Sequence, residues 1–316
     1  MKKVGILILF VLGAWTASAQ LAPQQVLSFF DTNGTIRMET EELNAAADTL
    51  ITVFHRKDDV VWSRMTFRII DLRYKQNYQL YFPTDPDDPN YKSLIRVILD
   101  AVANGMPIYQ PDPMGRSFIP SFNEANLLKD RRLNDFTGFG AIGGGGTYEH
   151  GEEGGDLIYY DTINNKIVLE LERYPAYIRN LYRYLIQEVY FFDKHTSRMH
   201  RQIVAIAPLS LLLQNNEEAP SDPMESIKKA VNYWILYKDL RPYLAKQYMI
   251  PLLNNTKRVT YDDFFQKRLY TSYLLGEINI YNRMILDYAK NEAEAKKEQA
   301  RIETEYLNFE QDLWEY

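Results

Sequence analysis

The residues best suited to bind a metal or move a proton near neutral pH are the four histidines, His55, His150, His195 and His200. The spacing of five between His195 and His200 puts them off a common helix face, and no His-Glu-x-x-His pair is present to hold zinc on a helix. These two flank Ser197-Arg198-Met199 and read as polar residues at the entry to a strand. Glu149, His150, Glu152, Glu153 and Asp156 could gather a divalent cation. The glycines around them offer no rigid outer partners, so a solvated acidic loop is the better reading. Asp85, Asp87 and Asp88 are interrupted by prolines and lack the glycine and terminal glutamate of a calcium loop. They read as an aspartate-proline turn. No metal and no cofactor is expected.

Nucleotide and hydrolytic chemistry find equally little. Gly138-Phe139-Gly140-Ala141-Ile142-Gly143 fits G-x-G-x-x-G in letters, but a dinucleotide site needs it on a strand-to-helix turn. Arg-Arg-Leu-Asn-Asp-Phe-Thr precedes it here and more glycines follow, so the match is compositional. There is no phosphate-binding Gly-Lys-Ser/Thr and no Gly-x-Ser-x-Gly nucleophile turn. Carboxylates are abundant, and a glycosidase-type pair leaves no local signature, so that class stays open. No catalytic residue is assigned.

The elements that would position such residues begin after a leader. Lys2 and Lys3, an apolar run from Val4 to Leu12, and Ala17-Ser18-Ala19 read as a secretory signal over residues 1–19. No later stretch offers the roughly 20 apolar residues of a membrane helix. Without cysteine there is no disulfide, no thiolate and no acylated-cysteine anchor. Loss of the two lysines takes the net charge from −6 to −8, which argues against nucleic-acid and anionic-lipid surfaces. The expectation is a protein outside the cytoplasm, stabilised by its core alone. Its 24 tyrosines suit interfaces as well as cores.

Apolar residues at Leu43, Ala46, Ala47, Leu50, Ile51 and Phe54 predict an amphipathic helix. Ser63 to Leu72 alternates as a strand, with Met65, Phe67 and Ile69 on one side. Leu94, Val97, Ile98, Ala101 and Val102 predict a second helix that stops at Asn104-Gly105. The second half offers a matching series. Ile178, Leu181, Tyr182, Leu185, Ile186 and Val189 fit a helix, Ser197-Arg198-Met199 opens a strand through Ile203 to Ala207, and Ile227 to Ile235 fits another helix. Offsets of 133 to 135 residues raise the possibility of a duplication. Between the halves, residues 138–156 hold nine glycines and read as a mobile loop. Thr260-Tyr261-Asp262-Asp263 resembles a capping box opening a helix. From about Glu277 to Trp314 runs a long helix candidate, polar in the middle and tipped with Tyr306, Leu307, Phe309, Leu313 and Trp314. It either folds back onto its own core or reaches a neighbour.

Several blocks resemble the GldN/PorN family of the gliding-motility and type IX secretion machinery of Bacteroidetes. They are Val61-Trp62-Ser63-Arg64, Phe67 to Arg73, Asn77, Leu80-Tyr81-Phe82-Pro83, Phe191-Phe192-Asp193-Lys194 and Ile206-Ala207-Pro208-Leu209. Arg241 to Lys246, Thr260 to Phe265 with Arg268, Asn279-Ile280-Tyr281-Asn282-Arg283 and Asp287-Tyr288 complete the series. The resemblance spans about residues 55–290. It implies a periplasmic, non-enzymatic protein in a homo-oligomeric ring with an outer-membrane lipoprotein (PorK or GldK). It also implies contact with the periplasmic part of the PorM/GldM motor protein, and no insertion into the membrane by the chain itself.

The fold class expected is α+β, with a lobe over 20–135, a glycine-rich loop over 136–160, a second lobe over 161–276 and a C-terminal helix over 277–316. Trp62, Arg68, Tyr306, Phe309 and Trp314 are the residues expected at a partner interface, because buried aromatics and arginines carry most interface energy. Trp62 has an alternative place in the core, and Arg68 could instead pair with Asp71. A periplasmic glycan- or peptidoglycan-binding module, or a hydrolase, is the alternative function.

Overall fold

The computed structural model of the chain describes residues 55–85, 91–111, 158–161, 166–169, 181–210, 230–250, 259–281 and 283–312, with isolated positions between them. The expected signal, the helix over 43–54, the glycine-rich stretch 138–156 with its G-x-G-x-x-G and acidic group, and Trp314 lie outside the described residues.

Alternation sets the first element. β1 (Val60–Asp71) carries Met65, Phe67 and Ile69 on one face, and Thr66, Arg68 and Ile70 on the other, all buried. Short α1 (Tyr78–Tyr81) and α2 (Leu94–Ala103) follow. Ser93 caps α2 by accepting from Arg96 N, and its apolar stripe leaves Leu94, Ile98 and Val102 buried. Next come β2 (Ile158–Asp161) and β3 (Lys166–Leu169), an antiparallel pair apart from the main sheet. The long β4 (Leu181–Asp193) and β5 (Arg198–Ser210) form a hairpin, and β6 (Ile235–Leu236) leads directly into α3 (Tyr237–Lys246). Thr260 caps α4 (Tyr261–Gln266) by accepting from Asp263 N, as its capping-box sequence predicts. β7 (Tyr273–Glu277), α5 (Ile285–Tyr288) and α6 (Glu292–Asp312) end the described chain.

The main sheet has the order β6-β5-β4-β1-β7, antiparallel throughout. Both faces are covered. On one, Ile70, Ile186 and Ile206 pack with α2, α3 and α4 through Ile98, Leu240, Phe264 and Phe265. On the other, Phe67, Ile69, Leu185 and Ala207 pack with Trp234, Leu275 and Met284. Gly276 lets β7 pass close to the start of α5: a Cβ there would lie 2.7 Å from Met284 Sδ and 3.1 Å from its Cα.

The α+β class agrees with the sequence reading, but three elements do not. The helix expected over 178–189 is strand β4, because its burial on both faces produces an apolar run that also satisfies helical spacing. The proposed duplication is not supported, since the second unit opens on that strand. Of its last helix, the described Met224, Ile227 and Ala230 are helical, but Ile235 is in β6. The C-terminal helix starts at Glu292 rather than Glu277, because Glu277 is the last residue of a sheet strand. β1, from the first expected lobe, pairs with β4 and β7, so strands from either side of the glycine-rich segment share one sheet.

Candidate functional site

α6 lies back on the sheet and makes a seam with β1, β4 and β7. Its buried side chains, Ala295, Ile302 and Tyr306, recur at a spacing that keeps them on one side of the helix, and they pack with Leu274 and Ile285. The Tyr306 ring lies 4.9 Å from Tyr190 and meets Trp62 edge-on at 6.0 Å. Phe309 stacks on Trp62 at 4.8 Å. Beside these rings, Arg64 Nη1 donates to Glu277 Oε2 at 3.1 Å and to Glu305 Oε1 at 3.0 Å. Tyr306 Oη donates to the same Glu277 oxygen at 2.6 Å. Burial, with Glu277 adjacent, raises the Tyr306 phenol above its ordinary range.

Of the residues expected at a partner interface, Trp62, Arg68, Tyr306 and Phe309 are thus brought together by the chain's own helix. Trp62, Tyr306 and Phe309 form one aromatic cluster. Arg68, buried, donates to Ser272 Oγ at 2.9 Å and to Glu303 Oε1 at 2.9 Å, not to Asp71. The projecting arm gives way to the fold-back arrangement because the polar middle of α6 carries acids that meet sheet arginines.

Asp71 has other partners. Its Oδ1 accepts from Arg73 N at 3.0 Å and Nε at 2.9 Å, and its Oδ2 accepts from Arg73 Nη2 at 2.6 Å and Arg183 Nε at 3.0 Å. Burial pushes this carboxyl up, but the hydrogen bonds outweigh it and hold the pKa at about 2. A depressed folded-state pKa gives stability that is complete above the unfolded value of about 3.9 and is lost as pH falls towards 2. Asp71→Asn is therefore expected to flatten the fall in stability between about pH 4 and pH 2, by roughly 2 kcal/mol. Urea unfolding midpoints across that range check it, and an unchanged acid limb would refute the assignment.

A second buried group lies at the sheet centre. Glu188, fully buried on β4, accepts at Oε1 from Arg268 Nη1 (2.6 Å) and Tyr270 Oη (3.0 Å), with Arg201 Nε 4.0 Å from Oε2. Arg268 adopts φ 54°, a left-handed conformation that costs a non-glycine residue about 1–2 kcal/mol. Two blocks of the resemblance also meet in space, between α3 and α4: Arg241 Nε donates to Asp262 Oδ1 at 3.0 Å, and Tyr237 Oη donates to the same oxygen at 2.8 Å.

Sequence reasoning missed two further features. One is His55, Asp193 and His200, gathered from the segment before β1, the end of β4 and the start of β5. Nothing in their spacing announces it, since His55 and Asp193 are 138 residues apart. The other is the turn after β7. Asn279 organises it by accepting at Oδ1 from Tyr281 N (3.0 Å) and Arg283 N (3.2 Å), and by donating from Nδ2 to Arg283 O (2.8 Å). The turn presents Ile280, 98% exposed, and Tyr281, 79% exposed. A signal was available here, as two large apolar residues follow a turn-forming asparagine.

Among the described residues no helix is long and apolar enough to cross a membrane. Residues 55–315 match the family described as Gliding motility associated protein GldN. No curated protein matches the chain.

Proposed function

The chain belongs to the GldN family, a component of the gliding-motility and type IX secretion machinery, and on that premise we propose that it is a periplasmic scaffold that works by assembly rather than catalysis. In this reading it forms a homo-oligomeric ring with an outer-membrane lipoprotein of the PorK/GldK kind and meets the periplasmic region of a PorM/GldM-like motor protein. The ring, not a membrane segment of this chain, ties it to the outer membrane.

The observation that carries the reading is the Ile280-Tyr281 turn. A solvent-exposed isoleucine beside an exposed tyrosine costs free energy in water, and three hydrogen bonds of Asn279 hold the pair presented rather than folded inward. Pre-organised aromatic and aliphatic anchors of this kind are what binding surfaces use, because little ordering entropy remains to be lost on contact. We assign the partner contact to this turn, while Trp62, Arg68, Tyr306 and Phe309 serve the α6 seam.

The double substitution Ile280→Ser with Tyr281→Ser is expected to leave the melting temperature within about 2 °C of the parent, since neither side chain is buried. It should weaken assembly by at least about 30-fold, corresponding to the loss of one hot spot of roughly 2 kcal/mol. Native mass of the protein gently extracted from its envelope, with its co-purifying partners identified, provides the readout. A large lipoprotein-containing particle that persists in the double variant would overturn the assignment of the turn.

A glycan-binding module is the second reading, favoured by Tyr74, Tyr78 and Phe82, three exposed aromatics near one end of the sheet. Tyr78 and Phe82 meet edge-on at 6.2 Å. That reading requires binding of peptidoglycan by the monomer, which sedimentation with purified cell wall detects directly.

A further inference from the structure

His55 and Asp193 are 4% and 1% exposed, and His200 beside them is half-buried. His55 Nδ1 lies 2.5 Å from Asp193 Oδ2, and the two imidazole rings are 4.2 Å apart. One ligand atom from each of the three residues lies within 4.8 Å of the others. Two imidazoles and one carboxylate form a donor set suited to zinc and its first-row neighbours, and unsuited to calcium or magnesium, which favour oxygen alone.

The surroundings are arranged as an outer shell would be. Asp193 Oδ1 accepts from His195 N at 2.8 Å, which turns the carboxylate and leaves Oδ2 towards His55. Thr196 Oγ1 lies 2.9 Å from His200 Nε2 and 3.4 Å from Asp193 O; a hydroxyl that donates to Asp193 O accepts from His200 Nε2–H and leaves Nδ1 with the ring's lone pair. Phe191 closes one side, edge-on to His55 at 5.0 Å and stacked on His200 at 5.5 Å. Met65, Val189 and Val204 continue that apolar wall.

We propose that His55, Asp193 and His200 form a binding site for a divalent transition metal of the zinc class, each giving one ligand atom and leaving a fourth position open through the half-buried His200. A four-coordinate zinc with bonds of about 2.0–2.2 Å holds its ligands roughly 3.3 Å apart. Binding would therefore replace the His55–Asp193 hydrogen bond through side-chain shifts of about 1 Å, with no change in the strands. The ion would staple the segment before β1 to the tip of the β4–β5 hairpin. Lys194 N already donates to Asp59 O across that junction at 2.9 Å. Such a staple suits a protein without disulfides, because it links the segment before β1 to a hairpin 138 residues further along the chain.

The test uses the tag-free, full-length protein, stripped with chelator and titrated with Zn²⁺ alone. One ion per chain should bind, and zinc at a hundred times its Kd should raise the melting temperature by about 5–10 °C. His200→Gln should weaken binding by at least about 100-fold, and Thr196→Val, which keeps all three ligands, by about 10–100-fold. Failure of the parent protein to bind zinc, or equal binding by parent and His200→Gln, would overturn the proposal. Because Thr196→Val leaves His200 and its stack on Phe191 in place, it tests the site even where His200→Gln disturbs folding.

Discussion

Replacing Tyr306 by alanine is expected to lower the unfolding free energy by about 3–5 kcal/mol, the range for removing a large buried ring. Tyr306 is 7% exposed and lies against both Tyr190 and Trp62. Its loss leaves a gap that the rigid strands β1 and β4 cannot close. It also strips a donor from Glu277, whose other partner in the seam is Arg64. Tyr306→Phe keeps the packing and removes only that charge-assisted hydrogen bond, so its cost should be smaller, about 1.5–3 kcal/mol. The order of the two variants separates packing from hydrogen bonding. Urea unfolding measures both, and hydrogen exchange along 292–312 reports where stability is lost. The exchange should accelerate mainly in α6, because residues 289–291 tether it while the helices on α2, α3 and α4 keep their own core. A Tyr306→Ala protein within 1 kcal/mol of the parent would mean that the seam adds little.

The second large effect is expected at Glu188. Glu188→Gln keeps the volume but removes the charge that meets Arg268, and breaking a buried ion pair from one side costs about 3–5 kcal/mol. The loss arises from a guanidinium held near the sheet with its partner gone. Tyr270 also donates to this carboxylate, and burial together with Glu188 raises its phenol above the ordinary range. Arg268→Gly offers the informative counterpart. Glycine relieves the strain at φ 54°, worth about 1–2 kcal/mol, yet it strips the carboxylate of its shortest donor. A net loss of stability in Arg268→Gly would show that the ion pair outweighs the strain it imposes. A net gain would show the reverse and remove the case for Glu188 as a keystone. Chemical denaturation of the two single variants and the double variant yields the coupling directly.

Much of the architecture was legible in the chain itself. β1 follows from strict alternation around Met65, Phe67 and Ile69, α2 from its apolar stripe, and α4 from a threonine cap. These signals are local: each depends on residues within one or two turns or on a single strand face. β4 was misread for a reason that belongs to the physics of sheets. With helices on one side and Trp234 and Leu275 on the other, both faces must be apolar, and alternation disappears. Glu188, within that run, is a buried acid whose partner stands 80 residues away.

The candidate sites divide in the same way. Trp62, Arg68, Tyr306 and Phe309 were recognisable as residues that would gather at a contact, since aromatic rings and arginines are the side chains that contacts favour. Which contact they make was decided by the fold, because α6 returns to the sheet and places Glu303 and Glu305 beside Arg68 and Arg64. The sequence by itself determined family membership, the α+β class and several local elements, as these rest on short-range pattern and chemistry. Only the tertiary structure decided that β1 joins β4, that α6 folds back, and that His55 reaches Asp193 and His200. Contacts between residues more than a hundred positions apart depend on strand order, which local periodicity does not encode.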